Sequence, residues 1–432
     1  MRVLVIGSGA REHALCWALR HSSQLSALYC APGNGGIAAL AECVALNPLD
    51  TAVCADWAAR NAIDLTIVGP EDPLANGIVD AFQARGLAIF GPTAAAARIE
   101  SSKAWAKQLM TQAGVPTARA ERFDDHTTAL AYLEQREQAV LAHGKGCYPL
   151  VIKADGLVAG KGVVIAHDGQ EARAALRGFL QEHTLGEAGA TILIEDFLQG
   201  VELSLFTLTD GSHVLPLAPA CDYKRVYDGD KGPNTGGMGA YSPPRFATHA
   251  LLEEIERRIL RPTVAALAQA GAPFRGLLYA GLMITQDGPY VLEYNARFGD
   301  PETQVVLPRL RSDLLALCDA VAHGRLDEAP ALEWSNEVTC GVVLASAGYP
   351  GSYEKGLPIT GLDTLDDGVL AFHAGTRLEA DGRLVTSGGR VLTVVASGAT
   401  MAEARAKAYA NVERIHFDGA HWRTDIAARE LT

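Results

Sequence analysis

Four short β-rich runs in the first hundred residues, RVLVIG, LSALYCAP, LTIVGP and LAIFGP, alternate with helical stretches such as REHALCWALRHS and PLANGIVDAFQARG. A strand followed by a helix and a further strand is a βαβ unit, and units of this kind build a parallel sheet. Three of the runs end in Gly-Pro or Pro-Gly turns. Ligands of open α/β sheets bind at such carboxyl ends.

The rest of the chain follows other patterns. SSKAWAKQLMTQAG reads as a helix that Ser101 or Ser102 can cap and Gly114 can stop. Residues 134–147 are polar and read as a helix end plus a surface loop. PLVIKA and GVVIAH flank a glycine loop and form a hairpin with it, followed by a helix near 169–183. Strand patterns continue through ILIEDFL, VELSLFTLTDG and HVLPLAPAC, then helices at about 248–270 and 312–324. The tail is β-rich and closes with an amphipathic helix near 401–416. The expected fold is therefore multidomain, α/β and α+β: an N-terminal parallel α/β domain, a large two-lobed centre and a small β-rich C-terminal domain.

The 432 residues give room for roughly two to four domains of about 100–200 residues. A formal charge of −13 argues against a general nucleic-acid binder but allows a local basic pocket for an anionic metabolite. Eight cysteines contain no C-x-x-C pair, which leaves no zinc or thioredoxin-like motif. The chain opens on a strand pattern without a signal peptide, and no apolar run approaches the ~20 residues of a membrane span. A reduced, cytoplasmic compartment is expected, with no membrane or nucleic-acid partner.

Five motifs carry candidate chemistry. Gly7-Ser8-Gly9-Ala10-Arg11-Glu12-His13 follows a strand and opens a helix, as a dinucleotide fingerprint would, but Glu12 stands at the third glycine and no acid ends the second strand. NAD binding is not expected; a helix N-terminus beside Arg11 still suits a small phosphate, and a tight turn without a ligand fits equally. In LVIKADGLVAGKGVV, Lys153 ends a strand, and Gly156, Gly160 and Gly162 surround Lys161. A P-loop lysine would instead open a helix and precede Ser or Thr. The stretch reads as a glycine hairpin that folds over phosphates, or as a flexible hairpin with a solvated lysine.

Tyr290-Val-Leu-Glu293-Tyr-Asn295-Ala-Arg297-Phe-Gly-Asp300 ends a buried strand. Glu293 and Asn295 lie two apart on one strand face and offer hard oxygen ligands for magnesium, while Arg297 is placed to meet an anion. Glu195, Phe197, Leu198 and Glu202 follow another strand, where backbone groups and a carboxylate could hold a nucleoside, although an acidic turn reads the same way. Finally, Gly236, Gly237 and Gly239 permit positive φ and close backbone approach to a ligand, or form a mobile linker, with Asp222, Lys224 and Arg225 upstream.

Taken in order, GAREHA, APGN, TIVGPEDPL, IFGPT, IKADGLVAGKGV, KGPNTGGMGAYSP, ARFGDPETQ, GYPG, FHAGT and SGGRVL resemble the ATP-grasp ligases, and among them the phosphoribosylamine–glycine ligase family, over essentially the whole chain. The sequence departs from the family pattern at Ser8, Ala10, Cys221, Tyr223 and Ala296, and Gly281 stands where many ATP-grasp enzymes carry a second acid.

The resemblance implies a pre-ATP-grasp domain at 1–101, an ATP-grasp domain at 102–325 with a lid lobe at about 120–192, and a C-terminal domain at 326–432. It implies ligation of glycine to 5-phosphoribosylamine with ATP, through glycyl phosphate, by a single-function monomer. Lys103, Lys153, Gly160, Lys161, Gly162, Glu195, Phe197, Leu198 and Glu202 would hold ATP, and Glu293 and Asn295 would hold Mg2+ or Mn2+. Arg297, Lys161 and Asp300 would serve catalysis. Gly9, Arg11, Glu71, Asp222, Arg297, Asp300 and Arg390 would contact the two substrates. Another ATP-grasp carboxylate–amine ligase, or a non-catalytic nucleotide-binding module, would share the ATP motifs.

Overall fold

The computed structural model describes residues 1–143, 146–158 and 162–431. Gly160 and Lys161 of the glycine hairpin therefore lie outside the described residues.

Arg2–Gly7 is the middle strand of a five-stranded sheet ordered Glu42–Cys43, Ala27–Pro32, Arg2–Gly7, Leu65–Val68, Ile89–Phe90. Every pairing is parallel. Val3 and Val5 enter one core and Leu4 and Ile6 another, so both faces are covered. This explains a run that is apolar throughout rather than alternating. Chain order reverses across Arg2–Gly7 and Leu65–Val68, which places the switch point of the sheet at Gly7 and Gly69.

Ser102 caps the helix Lys103–Gln112 by accepting from the Trp105 amide, and Gly114 takes φ +67 just beyond its end. Ser101 instead closes the preceding helix, Ala94–Ser101. The polar stretch from 134 is mostly helical, because the helix runs His126–His143. The 248–270 region is helical in three segments, with a π turn at Glu256–Leu260 directly before Pro262. Proline lacks an amide hydrogen and crowds the carbonyl four residues back, and a π turn relieves both.

The centre contains two antiparallel sheets. One is ordered Val214–Pro216, Val201–Asp210, Arg275–Thr285, Gly288–Asn295, and the other Ala120–Phe123, Ile192–Asp196, Leu150–Ala154, Val163–Ala166. The hairpin expected around the glycine loop is present: Leu150 pairs with Ala166 and Lys153 with Val163. This second sheet packs on its own core, built from residues such as Leu133, Ile152, Leu176 and Ile194. The other three large sheets share two continuous cores, in which Leu4, Leu278 and Val394 belong to one and Val5, Phe206 and Phe372 to the other.

The C-terminal sheet is ordered Cys221–Asp222, Gly239–Ser242, Val338–Ala345, Arg390–Gly398, Leu370–His373. Gly239 pairs with Val342. The sheet thus draws two strands from the central region, across the boundary expected at 325. Among the described residues no helix is long and apolar enough to cross a membrane.

Candidate active site

The strand Gly288–Asn295 sends Tyr294 into the core, where its hydroxyl meets Thr263 at 2.6 Å. Alternation then turns Glu293 and Asn295 together to the other face. Opposite Glu293 stands Gly281, where an added Cβ would come within 3.3 Å of the glutamate Cγ. The missing second acid thus leaves room for the Glu293 side chain to lie across the sheet.

Three lysines from three separate parts of the chain set the charge around Glu293. Lys103 opens its helix and donates to the Gly156 carbonyl at 3.1 Å. Lys153 donates to the Leu292 carbonyl at 2.9 Å and pairs with Glu195 at 2.9 Å. Lys224 pairs with Glu202 at 2.5 Å. Burial alone would raise the Glu293 carboxyl; Lys224, Lys153, Lys103 and Arg297 overcome it and hold the group below its usual range. Burial pushes the Lys103 ammonium down, with Glu293 opposing. A carboxylate held below its usual range beside an amide oxygen, with lysines nearby for phosphate, fits a hard divalent cation that shares its ligands with phosphate oxygens.

Arg297 lies between two carboxylates from the N-terminal part of the chain: Glu71 at 3.0 Å and Glu100 at 3.1 Å. Arg297, helped by Arg11, holds the Glu71 carboxyl at about 2 against its burial. Burial lifts Glu100 to about 6, with Arg297 pulling the other way. Next along the loop, Asp300 meets Arg390 at 3.2 Å and accepts from Gln304 at 2.7 Å. Arg390 also donates to the carbonyls of Gly236 and Asp300, each at 2.8 Å. A Cβ on Gly9 would lie 3.5 Å from the Asp300 carboxylate, so the first glycine loop, the 300 loop and the C-terminal sheet converge on Asp300. Nearby, burial pushes Asp222 up to about 7, against the pull of Lys224. Tyr279 donates to the buried Glu302 at 2.5 Å.

Several expectations need correction. The first loop is not an open anion site. Glu12 accepts from the Gly9 amide at 2.6 Å, and a Cβ at Gly69 or Gly7 would fall 1.9 or 2.5 Å from its side chain. The chain's own carboxylate fills the switch point where a pyrophosphate would lie in a dinucleotide fold. Arg11 is buried and turned to Glu12 at 2.6 Å and Glu71 at 3.8 Å, so it does not face the loop amides. Glu195 already has partners: its carboxylate is buried between Lys107, at 3.1 Å, and Lys153, on the sheet face opposite the Ile192 and Ile194 side chains. Phe197 is exposed and Leu198 half-buried just past the strand end.

The 236–239 glycines serve packing rather than ligand approach. Added Cβ atoms would meet the Arg390 guanidinium at 3.0 Å, Pro301 at 2.4 Å and the Gly341 carbonyl at 2.7 Å. Gly162 lies 2.4 Å, by the same measure, from Val158 within the hairpin. Sequence reasoning missed Glu100, Lys107, Tyr279 and Glu302. Only Glu302 carried a signal, as the acid of the GDPE turn.

The three domains described for phosphoribosylglycinamide synthetase match the chain in order: the N domain at 1–100, the ATP-grasp (A) domain at 101–303 and the C domain at 339–429. The chain is 49% identical to the phosphoribosylamine–glycine ligase of Halalkalibacterium halodurans, over 100% of this chain and 97% of that protein. It is 48% identical to that of Escherichia coli, over 100% and 99%. The crystal structure of the Thermotoga maritima phosphoribosylamine–glycine ligase superposes with a TM-score of 0.79 at 33% identity, covering 99% of this chain and 100% of that one. A biotin carboxylase domain from Hydrogenobacter thermophilus, in complex with MgADP and bicarbonate, matches at a TM-score of 0.70 and 17% identity over 98% and 91%, a likeness of fold.

Proposed function

The chain belongs to the phosphoribosylglycinamide synthetase family and is an ATP-dependent ligase of purine biosynthesis that joins glycine to phosphoribosylamine; we propose that it does so through glycyl phosphate, with the residues assigned as follows. Lys103 and Lys153 meet the ATP phosphates, and Lys161, with Gly160 and Gly162, closes over them. The backbone after Glu195, with Phe197, Leu198 and Glu202, lines the adenosine; Glu195 itself anchors Lys153. Glu293 and Asn295 hold Mg2+ or Mn2+. When bound, the metal neutralises charge on the transferring phosphoryl group.

A glycine carboxylate oxygen displaces ADP from the γ-phosphorus, giving an acyl phosphate. The amine nitrogen of phosphoribosylamine then attacks the acyl carbon, phosphate leaves, and the nitrogen gives up a proton. Arg297 orients the glycine carboxylate. Asp222 and Asp300 contact the amines, and Asp222, lifted toward neutrality by burial, suits taking up the proton released in the second step. Gly9, Asp300 and Arg390 form the ribosylamine side of the site, with Arg11 and Glu71 behind Arg297. No enzyme nucleophile enters the scheme, so catalysis consists of positioning and charge neutralisation.

The convergence of Lys103, Lys153 and Lys224 on Glu293 carries this reading. The eight free cysteines accord with a reducing cytoplasm. A coupled ADP-release assay, with each substrate omitted in turn, tests the assignment: turnover is expected only with ATP, a divalent cation, glycine and phosphoribosylamine together. Turnover with bicarbonate in place of glycine would point to a different ATP-grasp ligase, and ATP binding without glycine-dependent phosphate release to a non-catalytic module.

A further inference from the structure

Glu100 sits at the end of the helix Ala94–Ser101, in the N-terminal part of the chain, yet its carboxylate enters the strand end that carries the proposed metal and glycine residues. One oxygen accepts the Ala296 amide at 2.6 Å, and the other lies 3.1 Å from Arg297 Nη2. Ala296 is the peptide between Asn295 and Arg297, so a single side chain holds both the backbone and the guanidinium that follows it. The residue is 8% exposed and has no room to swing away. Glu71 takes Arg297 Nε at 3.0 Å. The guanidinium is therefore fixed along two directions from outside the ATP-grasp sheets.

We propose that Glu100 is a positioning residue for glycine activation, which locks the Asn295–Arg297 strand end and aims the Arg297 guanidinium at the glycine carboxylate. The inference rests on Arg297 acting on glycine, as assigned above. Without Glu100 the Ala296 amide loses its acceptor and Arg297 keeps only Glu71 and the carbonyl of its own neighbour Phe298. A misplacement of about 1 Å at a reacting group can cost roughly 100-fold in rate.

The test compares E100A, E100Q and R297A in the intact enzyme by steady-state kinetics for each substrate, with circular dichroism and thermal melts to establish folding. E100A is expected to raise KM for glycine and lower kcat by about 100-fold together, while KM for ATP stays within about twofold. Gln keeps an acceptor for the Ala296 amide but loses the charge facing Arg297, so E100Q should recover part of the loss. Folded E100A with wild-type glycine parameters beside a crippled R297A would overturn the inference and leave the Arg297 assignment standing. Normal glycine kinetics in R297A would overturn that assignment instead. Should E100A fail to fold, E100Q decides: a folded E100Q with wild-type kcat and glycine KM overturns the proposal, and a selective glycine defect supports it.

Discussion

At the scale of single residues, the site is governed by which carboxylates are free and which are already matched. Glu293 has its charge secured by three lysines and no hydrogen bond to any of them, the arrangement expected of a group that waits for a cation. Replacing it by Ala should lower turnover by several orders of magnitude with the fold intact, read as kcat beside an unchanged circular dichroism spectrum. Arg390 differs, because its proposed place is on the ribosylamine side. R390A should raise KM for phosphoribosylamine by about 10- to 100-fold and leave ATP affinity unchanged, and an equal loss of ATP affinity would count against the assignment. The common strand face of Glu293 and Asn295 was legible in the sequence because alternation fixes it from spacing alone. Glu100 was not, since its partner amide is 196 residues away. The loop around Glu12 and the role of Glu195 were misread for a related reason. Sequence identifies an acid beside a glycine loop or strand end but not whether a basic or amide partner has already claimed it.

At the scale of elements, the strand and helix pattern was legible almost throughout, because the runs are apolar and their ends carry turn residues and caps. The hairpin around residue 160 is an example: its flanking strands pair as read, where a P-loop would pass from strand to helix. Gly162 is close-packed against Val158 and Ala154, at 2.4 and 3.2 Å from an added Cβ. G162A should therefore disturb the hairpin and raise KM for ATP more than it raises KM for glycine, measured in the ADP-release assay.

A second element pair was illegible. The first helix and the strand Leu370–His373 meet through two buried histidines, with the His373 amide donating to His13 Nδ1 at 2.8 Å. Burial, reinforced by His373, pulls the His13 pKa from 6.5 to about 3. The folded protein thus keeps His13 neutral while the unfolded chain protonates it below 6.5, so acid favours the unfolded state. Stability should fall as pH drops below 6.5, by about 2 kcal/mol for this residue by pH 5. H13N, which retains an acceptor near Nδ1, should show a shallower loss of Tm between pH 7 and pH 5, and an identical slope would remove His13 as the cause.

At the scale of the whole molecule, the expected partition into three consecutive domains understates how the chain is tied together. Sheets form from partners distant in sequence, and no local pattern reports them. The C-terminal sheet borrows strands at 221–222 and 239–242, and the hairpin between those strands, at 225–234, is held by the tail. Arg423 is fully buried and makes part of that connection. It pairs with Asp425 at 2.6 Å and Asp230 at 2.8 Å, donates to the Arg225 carbonyl at 3.0 Å, and stacks 4.7 Å over the Tyr223 ring. Thr424 and Asp425 add bonds to Asp228 and the Gly229 amide, each at 2.8 Å. The face of Tyr223 supplies the stacking partner.

R423M keeps much of the side-chain volume and removes every polar contact at once. Breaking a buried pair costs about 3–5 kcal/mol, but Asp230 is 69% exposed on its side chain and regains water, so a loss of about 2–3 kcal/mol is expected. The loss should be local in onset. Amide hydrogen exchange should accelerate first in 225–234 and 421–430, and less in the first parallel sheet. Because Asp222 and Lys224 adjoin the loosened hairpin, kcat should fall while the small sheet at 120–196, which packs on its own core, keeps its exchange pattern. Uniform acceleration across all sheets would mean that Arg423 supports the global fold rather than this junction.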